Sequence, residues 1–197
     1  MGKMKMLDPK NVITKSTRMM RNHVAMFSEY LGDYEVVDSK YYFGDDSEWV
    51  SLSYVTDKKL LTKIFAIRIQ IVMHDIDMPE TWKAKTQLLG SLKAEGIVLK
   101  ESRKENTEIV RKINGDDRLM DYLFNISNDV DLQNIEMEYN KEERKIIINI
   151  NPYAGAFVWI KLPPIYYDLN LKKHEVETLI ELLSSLKSYF DNYKKAP

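Results

Sequence analysis

The side chains best equipped for acid–base work or metal binding are three histidines, His23, His74 and His174. An imidazole changes charge near neutrality and is a common metal ligand. None of the three lies four residues from another, the spacing that sets two ligands on one helical face. Only His74 keeps acidic company. The run His74-Asp75-Ile76-Asp77 gathers one imidazole and two carboxylates, which would serve a metal site or a general base oriented by Asp75. The same run also has a structural reading, in which Asp77 caps a helix that follows a strand. His23 flanks the stripe formed by Val24 and Phe27, and His174 sits between Lys173 and Glu175 at the start of a helix, so both read as structural.

Other chemistries find less to work with. The chain has no cysteine, which removes disulfides, thiolate metal clusters, cysteine nucleophiles and redox pairs and fits a reducing compartment. It holds no glycine-rich phosphate loop, no Gly-x-Ser-x-Gly and no His-Glu-x-x-His. The carboxylate pairs read as solvated: Glu136 and Glu138 alternate with Ile135, Met137 and Tyr139 on a strand, and Glu142 with Glu143 fills a turn. Neither a catalytic residue nor a cofactor is assigned.

Twenty-nine basic residues against 30 acidic ones leave a net charge of −1, so no global field draws a polyanion and nucleic acid is an unlikely partner by charge. The charge is uneven all the same. Met1 to Asn22 carries six cations against Asp8, whereas Gly32 to Trp49 carries Asp33, Glu35, Asp38, Asp45, Asp46 and Glu48 against Lys40. The aromatic groups Tyr41-Tyr42-Phe43 and Tyr166-Tyr167 lack the interleaved cations of a base-stacking platform. No run approaches the length of a membrane span, and no apolar region of a secretory signal follows the basic start. The expectation is a soluble, cytoplasmic globule.

The elements that must position these residues follow from periodicity. Met20, Val24, Phe27 and Leu31 predict a helix over 15–31, stopped by Gly32. Period-two patterning then predicts strands over 34–43, 48–56 and 64–73. Asp77-Met78-Pro79-Glu80 has the composition of a helix N-terminus, so a helix is expected through Trp82 and Leu92, then a short strand at 97–99. A polar connection spans 101–106. A helix over 107–126 breaks at Asn114-Gly115 and restarts at Asp116; strands follow at 134–139, 145–151 and 157–162, and a last helix runs from 171 to 193.

This order predicts an α+β fold of two similar halves, 1–100 and 101–197, each a helix, a three-stranded antiparallel meander and a helix. Matches of Ile67-Arg68-Ile69 to Ile160-Lys161-Leu162, and of Asp75-Ile76-Asp77-Met78 to Asp168-Leu169-Asn170-Leu171, keep one offset and point to an internal duplication with a pseudo-two-fold axis.

Two functions compete on this basis. The favoured one is a non-enzymatic module that binds a protein partner or a small ligand on the open sheet face or between the halves. If Phe65, Ile67 and Ile69 and then Val158, Ile160 and Leu162 face the helices, strand alternation leaves Arg68, Lys161, Trp159, Trp49 and Asn149 on the opposite side. Two cations, two indoles and neutral amides there would take an anionic ligand or an acidic peptide. The alternative is a hydrolase or transferase centred on His74, Asp75 and Asp168, with or without a metal. An exposed edge strand would in either case allow a homodimer.

Overall fold

The structure, a computed structural model, describes residues 9–44, 48–90, 94–102, 106–162 and 165–194. Helix α1 (Pro9–Leu31) buries Met20, Val24 and Phe27 and ends at Gly32, whose φ of +84° a side chain would resist. The segment expected as one strand over 34–43 is a hairpin of β1 (Tyr34–Val37) and β2 (Lys40–Gly44). Asp38 and Ser39 both adopt positive φ and make the two-residue turn that matches strand twist. Strands β3 (Glu48–Lys58) and β4 (Thr62–Met73) then pair in register along their whole length.

Next come β5 (Trp82–Leu89), β6 (Gly96–Glu101), α2 (Glu108–Asn114), α3 (Asp117–Asp129), β7 (Leu132–Asn140), β8 (Lys145–Pro152), β9 (Ala156–Ile160), β10 (Ile165–Leu169) and α4 (Lys173–Asp191). The ten strands form one antiparallel sheet in the order β1-β2-β3-β4-β8-β7-β5-β6, with β9 beside the first half of β4 and β10 outside β9. No helix among the described residues is long and apolar enough to cross a membrane.

This architecture corrects the expected pair of helix–meander–helix halves. The chain is α+β, but one ten-stranded sheet dominates it, and β5 and β6 sit outboard of β7 instead of closing a first half. Asp77 caps no helix. Ile76, Met78 and Trp82 are buried, and Trp82-Lys83-Ala84-Lys85 alternates as a strand; this period-two run outweighs the helix-start composition just before it. Asn170 likewise caps nothing, because α4 begins at Lys173 and the backbone N–H of Lys172 donates to the Glu175 carboxylate at 2.6 Å. As far as they are described, residues 64–93 and 157–187 therefore have different topologies, one ending in β5 and the other in β10 and α4, with 91–93 outside the described residues.

One face of the sheet shares a single apolar core with all four helices. Leu52, Ile69, Ile150 and Ile135 form one row of it, and Val24, Phe27, Leu123, Leu182 and Phe190 cover it from the helices. On the far side of β4 from β3, two strands share one edge: Ile150 of β8 faces Ile69, and Ala156 of β9 faces Ala66. Five residues, Asn151 to Gly155, thus span only Ile67 and Arg68 of β4, which makes a large bulge.

Gly155 holds that bulge. Its N–H donates to the Leu169 carbonyl, its carbonyl accepts from the Ile67 N–H at 3.3 Å, and its φ is +80°. A Cβ there would stand 2.5 Å from Cγ2 of Ile67. Gly155→Ala should therefore destabilise the protein by about 2 kcal/mol or more, read as a lower urea midpoint, from the left-handed backbone together with the clash. Adding Ile67→Ala should cost less on top of Gly155→Ala than it costs alone, because it removes the clashing methyl. Additive losses would show that the contact does not matter.

Candidate functional site

The face of the sheet turned away from the helices has two zones, and directly opposed residues show which side chains share it. Its polar zone lies on β3, β4, β8 and β7. Ser51, Gln70, Asn149 and Glu136 make one row and continue to Lys85 of β5. Gln70 donates to Asn149 at 2.8 Å. In the next row Ser53 opposes Arg68, whose Nε donates to Oδ1 of Asn151 at 3.1 Å, and Asn151 donates in turn to Asn134 at 2.7 Å. Toward the other end Trp49, Val72, Ile147 and Glu138 align, Lys83 pairs with Glu138 at 2.5 Å, and the Trp49 ring meets Tyr42 edge-on at 5.1 Å.

The second zone is apolar and follows from the bulge. An advance of seven residues, Ile150 to Phe157, brings β9 opposite a residue only four places back on β4, Ile69 to Phe65. An odd step against an even one exchanges the faces of β9 relative to β8. Phe157 goes under the helices, and Val158 and Ile160 turn to the uncovered side. Val55, Ala66, Ala156 and Leu169 form one row there, Ile64, Val158 and Tyr167 the next, and Ile160 with Ile165 a third. Tyr167 and Leu169 are about half exposed, at 52% and 47%.

The five expected binding residues divide accordingly. Arg68, Asn149 and Trp49 share the polar zone. Trp159 does not: it opposes Lys63 on the helix face and packs against the cluster of Met19, Phe65 and Phe157, as Tyr54 and Tyr166 also do. The expected alternation placed it by continuing the parity of β8 through residues 151–155, which the bulge reverses. Lys161 lies just beyond the end of β9, exposed, with its ammonium 3.4 Å from the Leu60 carbonyl and no place in a row with Arg68.

The residues missed by sequence reasoning are Val158, Ile64 and Tyr167. Their signal was Pro152 and Gly155, a turn-like pair inside an otherwise alternating run.

His74, Asp75 and Asp168 do not converge. Asp168 pairs with Phe157, which faces Phe65, while His74 follows the opposite end of β4. Nine residues of strand at about 3.3 Å each set them about 30 Å apart. Asp75, at φ +61°, instead lies 3.7 Å from Arg144, whose guanidinium also donates to the Asp75 carbonyl. No cluster of metal-ligating side chains occurs among the described residues.

Fold and face together define an α+β protein with a wide antiparallel sheet, covered by helices on one side and uncovered on the other. The chain belongs to the family described as protein of unknown function (DUF3156), whose model matches residues 27–190. No curated protein and no solved structure shows a significant match.

One titratable group that folding changes strongly lies away from this face. His23 is buried on α1, neither ring nitrogen has a hydrogen-bond partner among the described residues, and burial pushes its pKa down to about 4. The unfolded imidazole takes up its proton near pH 6.5 and the folded one only near 4, so the stability present above pH 6.5 is lost as pH falls through that window. Between pH 7 and pH 5 His23 should cost about 2 kcal/mol. Urea midpoints of the parent and of His23→Leu, compared at the two pH values, should show the variant losing less; equal losses would mean that His23 is protonated while folded.

Proposed function

We propose that the chain is a non-enzymatic binding module that docks a protein partner on the uncovered sheet face. The observation that carries the reading is the apolar zone of Ile64, Val158, Ile160, Tyr167 and Leu169 on the side of the sheet away from every helix. An exposed patch of grouped apolar side chains rimmed by polar ones marks a contact surface.

Its dimensions favour a protein over a small ligand. Nine apolar positions, on strands about 4.8 Å apart and in rows about 6.8 Å apart, cover roughly 300 Å², whereas a standard interface takes about 800 Å² from each partner. The polar zone supplies the remainder. There Arg68, Asn149 and Trp49 act as rim: the side-chain amides fix the orientation of the partner, and the indole beside Tyr42 offers anchoring area. Because Gln70, Asn149, Asn151 and Asn134 already bond one another, they face a partner with part of their hydrogen bonding satisfied.

A photo-crosslinking residue placed at Tyr167 should give a discrete adduct in cells, whereas one at Tyr30, exposed on α1, should not. Val158→Lys should abolish the adduct, Arg68→Glu should weaken it, and both proteins should keep the parental melting temperature to within a few degrees, as expected of half-buried positions on a face that no helix covers. Equal adducts from both positions, or none from Tyr167, would remove the reading.

A further inference from the structure

Among the described residues three strands have an unpaired edge, β1, β6 and β10, and two of them, β6 and β1, are finished differently. On β6 the Asn114 side chain donates to the Leu99 carbonyl at 2.8 Å and accepts from the Leu99 N–H at 2.7 Å. Asn106 donates to that carbonyl at 3.0 Å and accepts from the Glu101 N–H at 3.0 Å. Side-chain amides thus occupy the outer side of β6, and α2 and α3 pack beside it. This edge is closed to another strand.

Strand β1 has no such cover. Its four residues are all exposed, Val36 at 56%. A two-residue hairpin closed by Val37 and Lys40 makes Val37–Lys40 and Glu35–Tyr42 the hydrogen-bonded pairs, so the N–H and C=O of Tyr34 and Val36 point away from β2. Nothing among the described residues meets them there. Tyr34 and Val36 lie on the helix side with Phe43 and Tyr41, and Glu35 and Val37 on the uncovered side.

Charge decides what such an edge accepts. Asp33, Glu35 and Asp38 are exposed and make no ion pair with described residues; Lys40 is the one cation of the hairpin. A second copy fits poorly. Two-fold antiparallel pairing that uses the outward groups can centre on Tyr34, Glu35 or Val36. The first sets Glu35 against Asp33 and the second Glu35 against Glu35, both unfavourable like-charge pairs. The third sets Val36 against itself, Glu35 against Val37 and Tyr34 against Asp38, with three acids from each copy crowded along one seam.

We infer that β1 is a docking edge for an extended, basic segment of a partner protein. The segment adds to the sheet through the backbones of Tyr34 and Val36. Its lysines or arginines lie over Glu35 and beside Asp33 and Asp38, and its alternate apolar side chains lie against Tyr34 and Val36. The β9–β10 zone takes no part in this contact, so either reading stands or falls without the other.

The test uses the full chain and two synthetic peptides, one of alternating lysine and valine and one of alternating glutamate and valine. The lysine peptide should bind, more weakly as salt rises, and slow hydrogen exchange at the Tyr34 and Val36 amides at least tenfold. The glutamate peptide should not bind. Val36→Pro removes an outward N–H while leaving the β1–β2 ladder intact, and should abolish binding at an unchanged melting temperature. Glu35→Lys should weaken the lysine peptide and admit the glutamate one. No binding at millimolar peptide, binding that leaves the Tyr34 and Val36 amides unprotected, or binding that survives Val36→Pro would overturn the inference. So would a dimer in light scattering that Val36→Pro dissociates.

Discussion

The left-handed backbone of Gly155, wedged against Ile67 and bonded to both β4 and β10, is the constraint on which the arrangement of this sheet depends. It lets five residues of one strand pass two of its neighbour, so β8 and β9 follow the same edge of β4 in the same direction with opposite faces. A regular strand through 146–160 would have sent Phe157 and Trp159 to the uncovered side and Val158 and Ile160 under the helices. The bulge exchanges them. The large rings enter a second apolar cluster with Phe65 and Met19, and the smaller aliphatic side chains are left facing outward. One backbone feature therefore both completes the packing beneath α1 and creates the apolar zone above it.

Strand β4 is the element that makes this possible. Its burial alternates from Phe65 to Ile71, with Phe65, Ile67, Ile69 and Ile71 buried, and it ends on Val72 and Met73, both buried. A straight, strongly alternating strand paired throughout with β3 gives a fixed register against which two other strands can dock independently. The partners on its other edge differ in kind. Beside β8 the core is aliphatic and continuous with all four helices. Beside β9 it is aromatic and local, with Phe65 and Phe157 at 6.0 Å and Phe157 stacked on Tyr166 at 5.9 Å. In that second cluster the Tyr54 hydroxyl and the Trp159 indole N–H are buried without partners among the described residues. Burial raises the Tyr54 phenol well above its ordinary pKa, with Asp168 nearby adding to the effect, so it stays neutral and offers no base.

How much of this was legible in the sequence depended on whether a signal was local. The stripe of α1, the alternation of β3, β4, β7 and β8, and the break at Asn114-Gly115 with Asp116 as the new cap were all readable, since each is set by neighbours a few residues away. The hairpin at Asp38-Ser39 was not, because neither residue is glycine and both take positive φ only with tertiary support. At Asp77-Met78-Pro79-Glu80 a genuine capping composition was overridden by burial. Met78 and Trp82 meet through an indole N–H to sulfur contact of 3.3 Å, and the Tyr139 hydroxyl ties this turn to β7 by accepting from the Met78 N–H and donating to the Ile76 carbonyl. The apparent duplication drew on the same turn. On the candidate face, Arg68, Trp49 and Asn149 followed from parity alone. Trp159 could not, since parity carries only as far as the strand is regular.

A sheet this wide meets a general difficulty, because each uncovered face and each edge is a place where another chain can pair or aggregate. Here the exposures are managed unequally. On the uncovered face, side-chain amides bonded across β4, β8 and β7 leave few free donors and acceptors in the polar zone. At β6, Asn106 and Asn114 complete the backbone of the outermost strand. Comparable devices are missing from the apolar rows of β9 and β10 and from β1, where the protection is a short strand and like charge. Side-chain amides tie down backbone groups whatever approaches, whereas carboxylates repel only acidic or identical chains and attract basic ones. A folded chain that closes the β6 edge sterically and guards the β1 edge only by charge has kept β1 selectively open, and that selectivity separates an interaction edge from an unfinished one.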